Sequence, residues 1–171
     1  MLLLGLYLLF NMQVTPFNSE DYVVSEPCKG LPSSLPLVQL DPKTGKFCVN
    51  KKATEFLRSI PNLKLGSISV VGPYRTGKSY LLSRMLNSSN GFELGPTMNG
   101  CTKGIWISTK ILVPKNPNKP TIIFLDTEGI GDVKKDSAHD VAIASLSILL
   151  SSYFIYNSTG VTRSDDLEKL E

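Results

Sequence analysis

Eight residues, Gly72-Pro73-Tyr74-Arg75-Thr76-Gly77-Lys78-Ser79, constrain the fold of this 171-residue chain more than any others. The apolar run Ser-Ile-Ser-Val-Val at 67–71 precedes them and reads as a short buried strand. A helix follows from about Lys78 to Leu86, with Leu81, Leu82, Met85 and Leu86 on its apolar side. Glycines at both ends of the loop let the backbone turn its N–H groups inward, close to an anion. The helix adds unpaired N–H groups and the positive end of its dipole. The pattern G-x-x-x-x-G-K-[ST] in this strand–loop–helix setting predicts a phosphate-binding loop.

That loop assigns work to particular side chains. Lys78 is spaced to reach the β- and γ-phosphates of a nucleoside triphosphate, and the Ser79 hydroxyl to bind Mg2+. Arg75 standing alone would be an exposed loop cation. Inside a phosphate loop its guanidinium is within reach of the γ-phosphate, where it neutralises charge developing during phosphoryl transfer. Asp126-Thr127-Glu128-Gly129 ends the apolar run 121–125, where a magnesium-holding aspartate belongs. Asp126 is thus assigned to the metal through a water, and the Gly129 N–H to the γ-phosphate. Thr102, in an irregular stretch between the two motifs, is the candidate that completes the Mg2+ shell and orients the attacking water. Glu128 admits two readings, a water organiser or a surface carboxylate. The nucleotide-binding set is Gly72, Pro73, Tyr74, Arg75, Thr76, Gly77, Lys78, Ser79, Tyr80, Asp126, Thr127, Glu128 and Gly129. The metal set is Ser79, Thr102 and Asp126, and the catalytic set Arg75, Lys78, Thr102 and Glu128.

The rest of the chain frames these motifs. Residues 1–33 read as a tail, and 34–171 as one partial domain. The tail begins Met-Leu-Leu-Leu-Gly-Leu-Tyr-Leu-Leu-Phe, too short to span a bilayer and lacking a basic flank. It reads as an unremoved tail with an alternative start at Met12, or as a signal or anchor segment. Asp41-Pro42-Lys43-Thr44-Gly45 predicts a hairpin turn, and Asn50 caps a helix that aligns Ala53, Phe56, Leu57 and Ile60. Residues 105–113 alternate as one strand at or near a sheet edge, paired antiparallel with 121–125 across a proline-rich turn. A helix over 137–150 and a strand over 153–157 follow. This order predicts an α/β fold, a P-loop NTPase three-layer sandwich with a mostly parallel sheet that is incomplete at its C-terminus. A formal net charge of +3 without a Lys/Arg run argues against nucleic acid as partner. Three well-separated cysteines, Cys28, Cys48 and Cys101, and a single histidine, His139, give neither a disulfide framework nor a zinc site, and point to a reducing, cytoplasmic setting.

The segments GPYRTGKSYLL, GPTMNGCTKGIW, LDTEGIGD and LLSSYFIYNS together resemble the large-GTPase domain of guanylate-binding proteins, relatives of dynamin and atlastin. The likeness runs over roughly 35–170. It implies Mg2+-dependent GTP hydrolysis, a homodimer formed head-to-head through the G domains, and association with membranes in cell-autonomous immunity. It also implies that Arg75 is an arginine finger acting in cis, Thr102 a Mg2+ ligand and Glu128 the organiser of the attacking water.

Three departures bear on activity. Gly100 stands where family members commonly have a serine whose hydroxyl helps position the water. Pro73 occupies a place usually held by a small or aliphatic residue. The Thr-x-Arg-Asp segment that reads guanine in the family has no counterpart, since Thr162-Arg163-Ser164-Asp165 comes too early, and the chain reads as a truncated form. Two further readings stand beside the GTPase: a catalytically weak nucleotide-binding or interaction module, and an ATPase or small-molecule kinase using the same loop.

Overall fold

The computed structural model describes residues 19–60, 64–87, 92, 104–130 and 137–158. Its centre is β7 (Thr121–Thr127), buried along its whole length. β4 (Leu65–Val71) lies parallel to β7, and β8 (Tyr153–Tyr156) lies parallel to β4 on its far side. On the other flank of β7 the chain runs back through β5 (Ile105–Ser108) and β6 (Ile111–Pro114). β5 sets Ile105 opposite Thr127, and β6 sets Leu112 opposite Ile122, both antiparallel. Outside them β2 (Ser34–Leu40) pairs with β5, β3 (Phe47–Val49) with β2, and β1 (Tyr22–Ser25) with β6, all antiparallel.

The expected mostly parallel sheet is therefore wrong: of the seven strand pairings described, five are antiparallel and two parallel. Connection length accounts for two of the five, β2 with β3 and β6 with β7; the other three antiparallel pairs join strands that are not consecutive in the chain. A parallel neighbour needs a crossover of a dozen or more residues, whereas short links fold strands back on themselves. The turn between β6 and β7 and the turn between β2 and β3 are both short. Only the helix-bearing links around β4, β7 and β8 are long enough for parallel pairing.

The single strand read over 105–113, at or near an edge, is in fact two: β6 lies next to the edge, just inside β1, and β5 lies further in, covered by β2 and β3. It breaks at Thr109, whose N–H donates to the Ser33 carbonyl at 3.0 Å and whose hydroxyl donates to that of Pro32 at 2.7 Å. Residues 22–25, read as tail, are a strand of the sheet.

Helices cover both faces. α1 (Lys51–Ser59) begins at Asn50, whose side chain accepts the Lys52 N–H at 2.9 Å and the Ala53 N–H at 3.4 Å. Such a cap contributes about 1 kcal/mol. Its buried Ala53 and Phe56 meet Ile105, Ile107, Ile123 and Leu125, together with Ile143 of α3 (Ser137–Leu149). α2 (Lys78–Met85) packs Leu82, with Leu86 just beyond it, against Ile68, Val70 and Phe124 on the opposite face. Each of those two leucines is fully buried, which contributes about 2 kcal/mol apiece.

β4 is not apolar on both faces. Ser67 and Ser69 alternate with Ile68 and Val70 and meet the end of α3. Ser67 Oγ donates to the Leu150 carbonyl, Ser69 Oγ to that of Ser147 at 3.3 Å, and the Ser152 N–H to the Ser67 carbonyl at 2.9 Å. These bonds fix where α3 lies. The parallel strands β4, β7 and β8 thereby end at one rim, at Val71, Thr127 and Tyr156. Ligands of open α/β sheets bind outside the carboxyl ends of such strands.

Candidate functional site

At that rim the chain leaves β4 through Gly72 and enters α2 at Lys78. Two left-handed residues curl the loop between them: Arg75 at φ +62° and Gly77 at φ +84°. Turns of this kind make concave nests of backbone amides that suit anions. Pro73 has no N–H to offer such a nest, but its carbonyl organises the loop from within. It accepts the Lys78 ammonium at 2.9 Å and the Thr76 hydroxyl at 3.0 Å.

Lys78 is the notable charge. It is only 6% exposed. Burial pushes its ammonium below the usual lysine value, against the smaller opposing pull of the nearby Asp126 carboxylate. Ser79, one residue on, donates its hydroxyl to Asp126 Oδ2 at 2.5 Å, so the first turn of α2 and the end of β7 meet through two oxygens. Asp126 is 1% exposed.

The segment after Asp126 locks against the loop. Pro73 and Ile130 form a parallel bridge, with the Ile130 N–H donating to the Gly72 carbonyl at 3.2 Å. Gly129 lies so close to Tyr74 that a Cβ there would sit 2.5 Å from the Tyr74 Cα. Thr127 does not face this site: its hydroxyl donates to the Val70 carbonyl at 2.8 Å and ties β7 to β4. Tyr80 is 58% exposed on α2. Arg75 is exposed, its guanidinium carbon 5.8 Å from the centre of the Tyr74 ring. Glu128 is buried at 4%, which removes the surface-carboxylate reading, and its N–H donates to the Gly104 carbonyl at 3.0 Å. Thr102 and Gly100 lie outside the described residues.

Two residues escaped the sequence reading. Asn157, just past β8, donates its side-chain amide to the Thr76 carbonyl at 2.9 Å and to the Thr76 hydroxyl at 3.3 Å. Its own N–H donates to the Val71 carbonyl at 2.7 Å. The sequence reading has it only as the last residue of a strand over 153–157; here its amide nitrogen braces the loop. His139 on α3 bonds Glu128 through Nε2. Neither pairing leaves a local signal, since the partners are 81 and 11 residues apart.

Among the described residues no cluster of three or more His, Cys, Asp or Glu side chains could hold a metal by itself, and Cys28 and Cys48 are free thiols. No helix among them is long and apolar enough to cross a membrane.

The family model described as guanylate-binding protein, N-terminal domain, matches residues 44–171. Guanylate-binding protein 2 of Homo sapiens is 42% identical over 138 residues, 79% of this chain and 22% of that protein. Guanylate-binding protein 6 of Mus musculus is 41% identical over 143 residues, 82% of this chain and 23% of its own length. Guanylate-binding protein 7 of Homo sapiens is 45% identical over 129 residues, 74% of this chain and 19% of its own. The chain thus spans about a fifth of the length of these curated relatives.

Proposed function

The chain belongs to the guanylate-binding protein family, and from that premise we propose that it forms part of a G domain that binds GTP with Mg2+ and hydrolyses it. The observation that carries this reading is the junction of Ser79 and Asp126, 2.5 Å apart, beside a buried lysine at the mouth of a glycine-bracketed loop. A hydroxyl and a carboxylate are hard oxygen donors of the kind Mg2+ accepts, with its other positions left to water and phosphate, so these residues fit the ion. When bound, Mg2+ supplies neutralisation of phosphate charge.

The chain's own groups do the rest. The loop amides and the start of α2 receive the phosphates, and Lys78 exchanges the Pro73 carbonyl for a β- or γ-phosphate oxygen. Arg75, on the exposed side of the loop, swings from the Tyr74 ring onto the γ-phosphate as the cis finger. Glu128, held inside the rim, arranges the attacking water, with Thr102 as its partner and a third Mg2+ ligand. Catalysis is then positioning and charge neutralisation, because phosphoryl transfer asks little covalent chemistry of the protein. Tyr80 and Thr127 keep lesser roles: Tyr80 flanks the bound nucleotide, and Thr127 holds the strand that presents Asp126. Homodimerisation through the G domains and association with membranes in the cytoplasm follow from the family resemblance.

The test is phosphate release from GTP, with ATP in parallel, with and without Mg2+. Mg2+-dependent release that favours GTP supports the proposal; faster release from ATP favours the kinase or ATPase reading. Binding without turnover favours the weak module, for which Gly100 in place of a serine speaks.

Lys78→Met gives a second test whose two readouts move in opposite directions. Below its lowered folded value Lys78 is charged and buried, so its desolvation opposes folding there in full. The opposition is relieved as pH rises from that lowered value toward the unfolded one. Lys78→Met removes it at neutral pH. The nucleotide-free variant is expected to melt roughly 2–5 °C higher. The gap from wild type should close as pH rises into the alkaline range. Nucleotide affinity should fall by at least about tenfold, because a charge-assisted bond to phosphate is lost. A variant that melts lower while binding nucleotide normally contradicts both assignments.

A further inference from the structure

His139 stands on the first turn of α3, as the third residue of the helix. Its Nε2 bonds Glu128 Oε1, the side chains of His139 and Glu128 being 17% and 4% exposed. The other side of the picture is Phe47 of β3, whose ring stacks on the imidazole with centroids 5.5 Å apart and planes 24° from parallel. An imidazole held between a packed ring and a carboxylate has little freedom to turn, and a carboxylate bonded to it has little freedom to change rotamer. The N–H of Glu128 is itself tied to Gly104 at 3.0 Å, so backbone and side chain are anchored separately.

We propose that His139 is a positioning residue for GTP hydrolysis, setting the orientation of the Glu128 carboxylate toward the attacking water, with Phe47 fixing the imidazole. The proposal rests on the role given to Glu128 above and extends it to a residue that touches neither nucleotide nor metal. A buried carboxylate needs a hydrogen-bonding partner for stability alone. The positioning role goes further, because it makes turnover depend on His139 when nucleotide affinity does not. It also makes the β2–β3 hairpin, which bears Phe47, part of what sets the catalytic geometry.

Four variants separate these outcomes: His139→Phe, His139→Gln, Glu128→Gln and the pair His139→Phe with Glu128→Gln. Each is measured for GTP turnover, KM and melting temperature. His139→Phe keeps an aromatic ring against Phe47 and loses the bond. It is expected to lower kcat by about tenfold or more with KM unchanged. His139→Gln keeps an N–H donor and is expected to recover part of that loss. In the Glu128→Gln background, His139→Phe should cost nothing further, since residues acting through one another are not additive.

If Glu128→Gln slows turnover and His139→Phe does not, the positioning role falls while the function of Glu128 stands. If Glu128→Gln leaves turnover unchanged, the role of Glu128 falls and this inference with it. Equal losses in kcat and nucleotide affinity for His139→Phe, or fully additive losses in the double variant, reduce His139 to a structural partner. Should His139→Phe fail to fold, His139→Gln and Phe47→Leu carry the test: a normal kcat in both overturns the proposal.

Discussion

Replacing Arg75 with alanine is expected to slow GTP turnover by about 10³-fold, the lower end of what a well-placed arginine finger contributes. Stability should hardly change. The side chain is exposed, and alanine keeps the Cβ and therefore the left-handed strain at φ +62°. Arg75→Gly makes the comparison sharper. Glycine removes strain of about 1 kcal/mol, partly offset by the greater freedom it gives the unfolded chain, so this variant should melt at or near the wild-type temperature. Arg75→Lys should rescue little, since an ammonium lacks the planar fork that bridges two phosphate oxygens. The position thus holds a bulky residue in a conformation glycine would adopt more cheaply. Single-turnover phosphate release for the three variants decides the matter, and unchanged rates in Arg75→Ala dismiss the finger.

Gly72→Ala should have the largest effect on stability. A Cβ at this position would lie 2.0 Å from the Asn157 carbonyl oxygen, a backbone atom that cannot swing aside. The φ of +154° also belongs to a region that side chains rarely enter. Relief requires moving residues 72 or 157. Movement of Asn157 breaks its N–H bond to Val71 and its amide bond to Thr76, so β8 and the loop over 72–77 loosen together. A loss of about 4 kcal/mol or more is expected, which lowers the melting temperature by roughly 10 °C. Gly45→Ala is the control. Gly45 has φ +65° with nothing within 4 Å of its absent Cβ, so only backbone strain applies, at about 1 kcal/mol. Comparable melting of the two variants would show that the Asn157 contact does not govern the position.

Local features were the legible ones. Asn50 as a cap, the 3.6-residue spacing of Ala53, Phe56 and Ile60, and the turn at Asp41–Gly45 all report on neighbours within a few residues. The structure places each as expected, with the Asp41 carboxylate accepting the Lys43 N–H at 2.8 Å and the Thr44 hydroxyl at 2.9 Å. The direction of the sheet was not legible. Alternation along Ile105–Val113 is the same for one strand as for two. It does not reveal that Thr109 is drawn to Pro32 and Ser33, more than seventy residues away. Nor do four residues such as Tyr22–Ser25 carry enough pattern to announce a strand when two of them, Val23 and Val24, are exposed.

The site divides in the same way. Lys78, Ser79 and Asp126 come together because a spaced motif and the end of an apolar strand encode them separately, and the parallel pairing of β4 with β7 joins them. Thr127 sits in the same stretch of sequence but faces Val70, because successive strand residues point to opposite sides. His139 lies on α3 and Asn157 just past β8, and only the packing of those two elements shows what the residues touch.

A crystal structure of the chain with a non-hydrolysable GTP analogue and Mg2+ shows whether this loop receives a triphosphate. The triphosphate is expected on the amides of residues 74–79, with the Lys78 ammonium moved from the Pro73 carbonyl onto a phosphate oxygen and the metal held by Ser79 and, through water, by Asp126. A loop that stays closed on itself at saturating analogue, with Lys78 still on Pro73 and Ser79 still on Asp126, would contradict it.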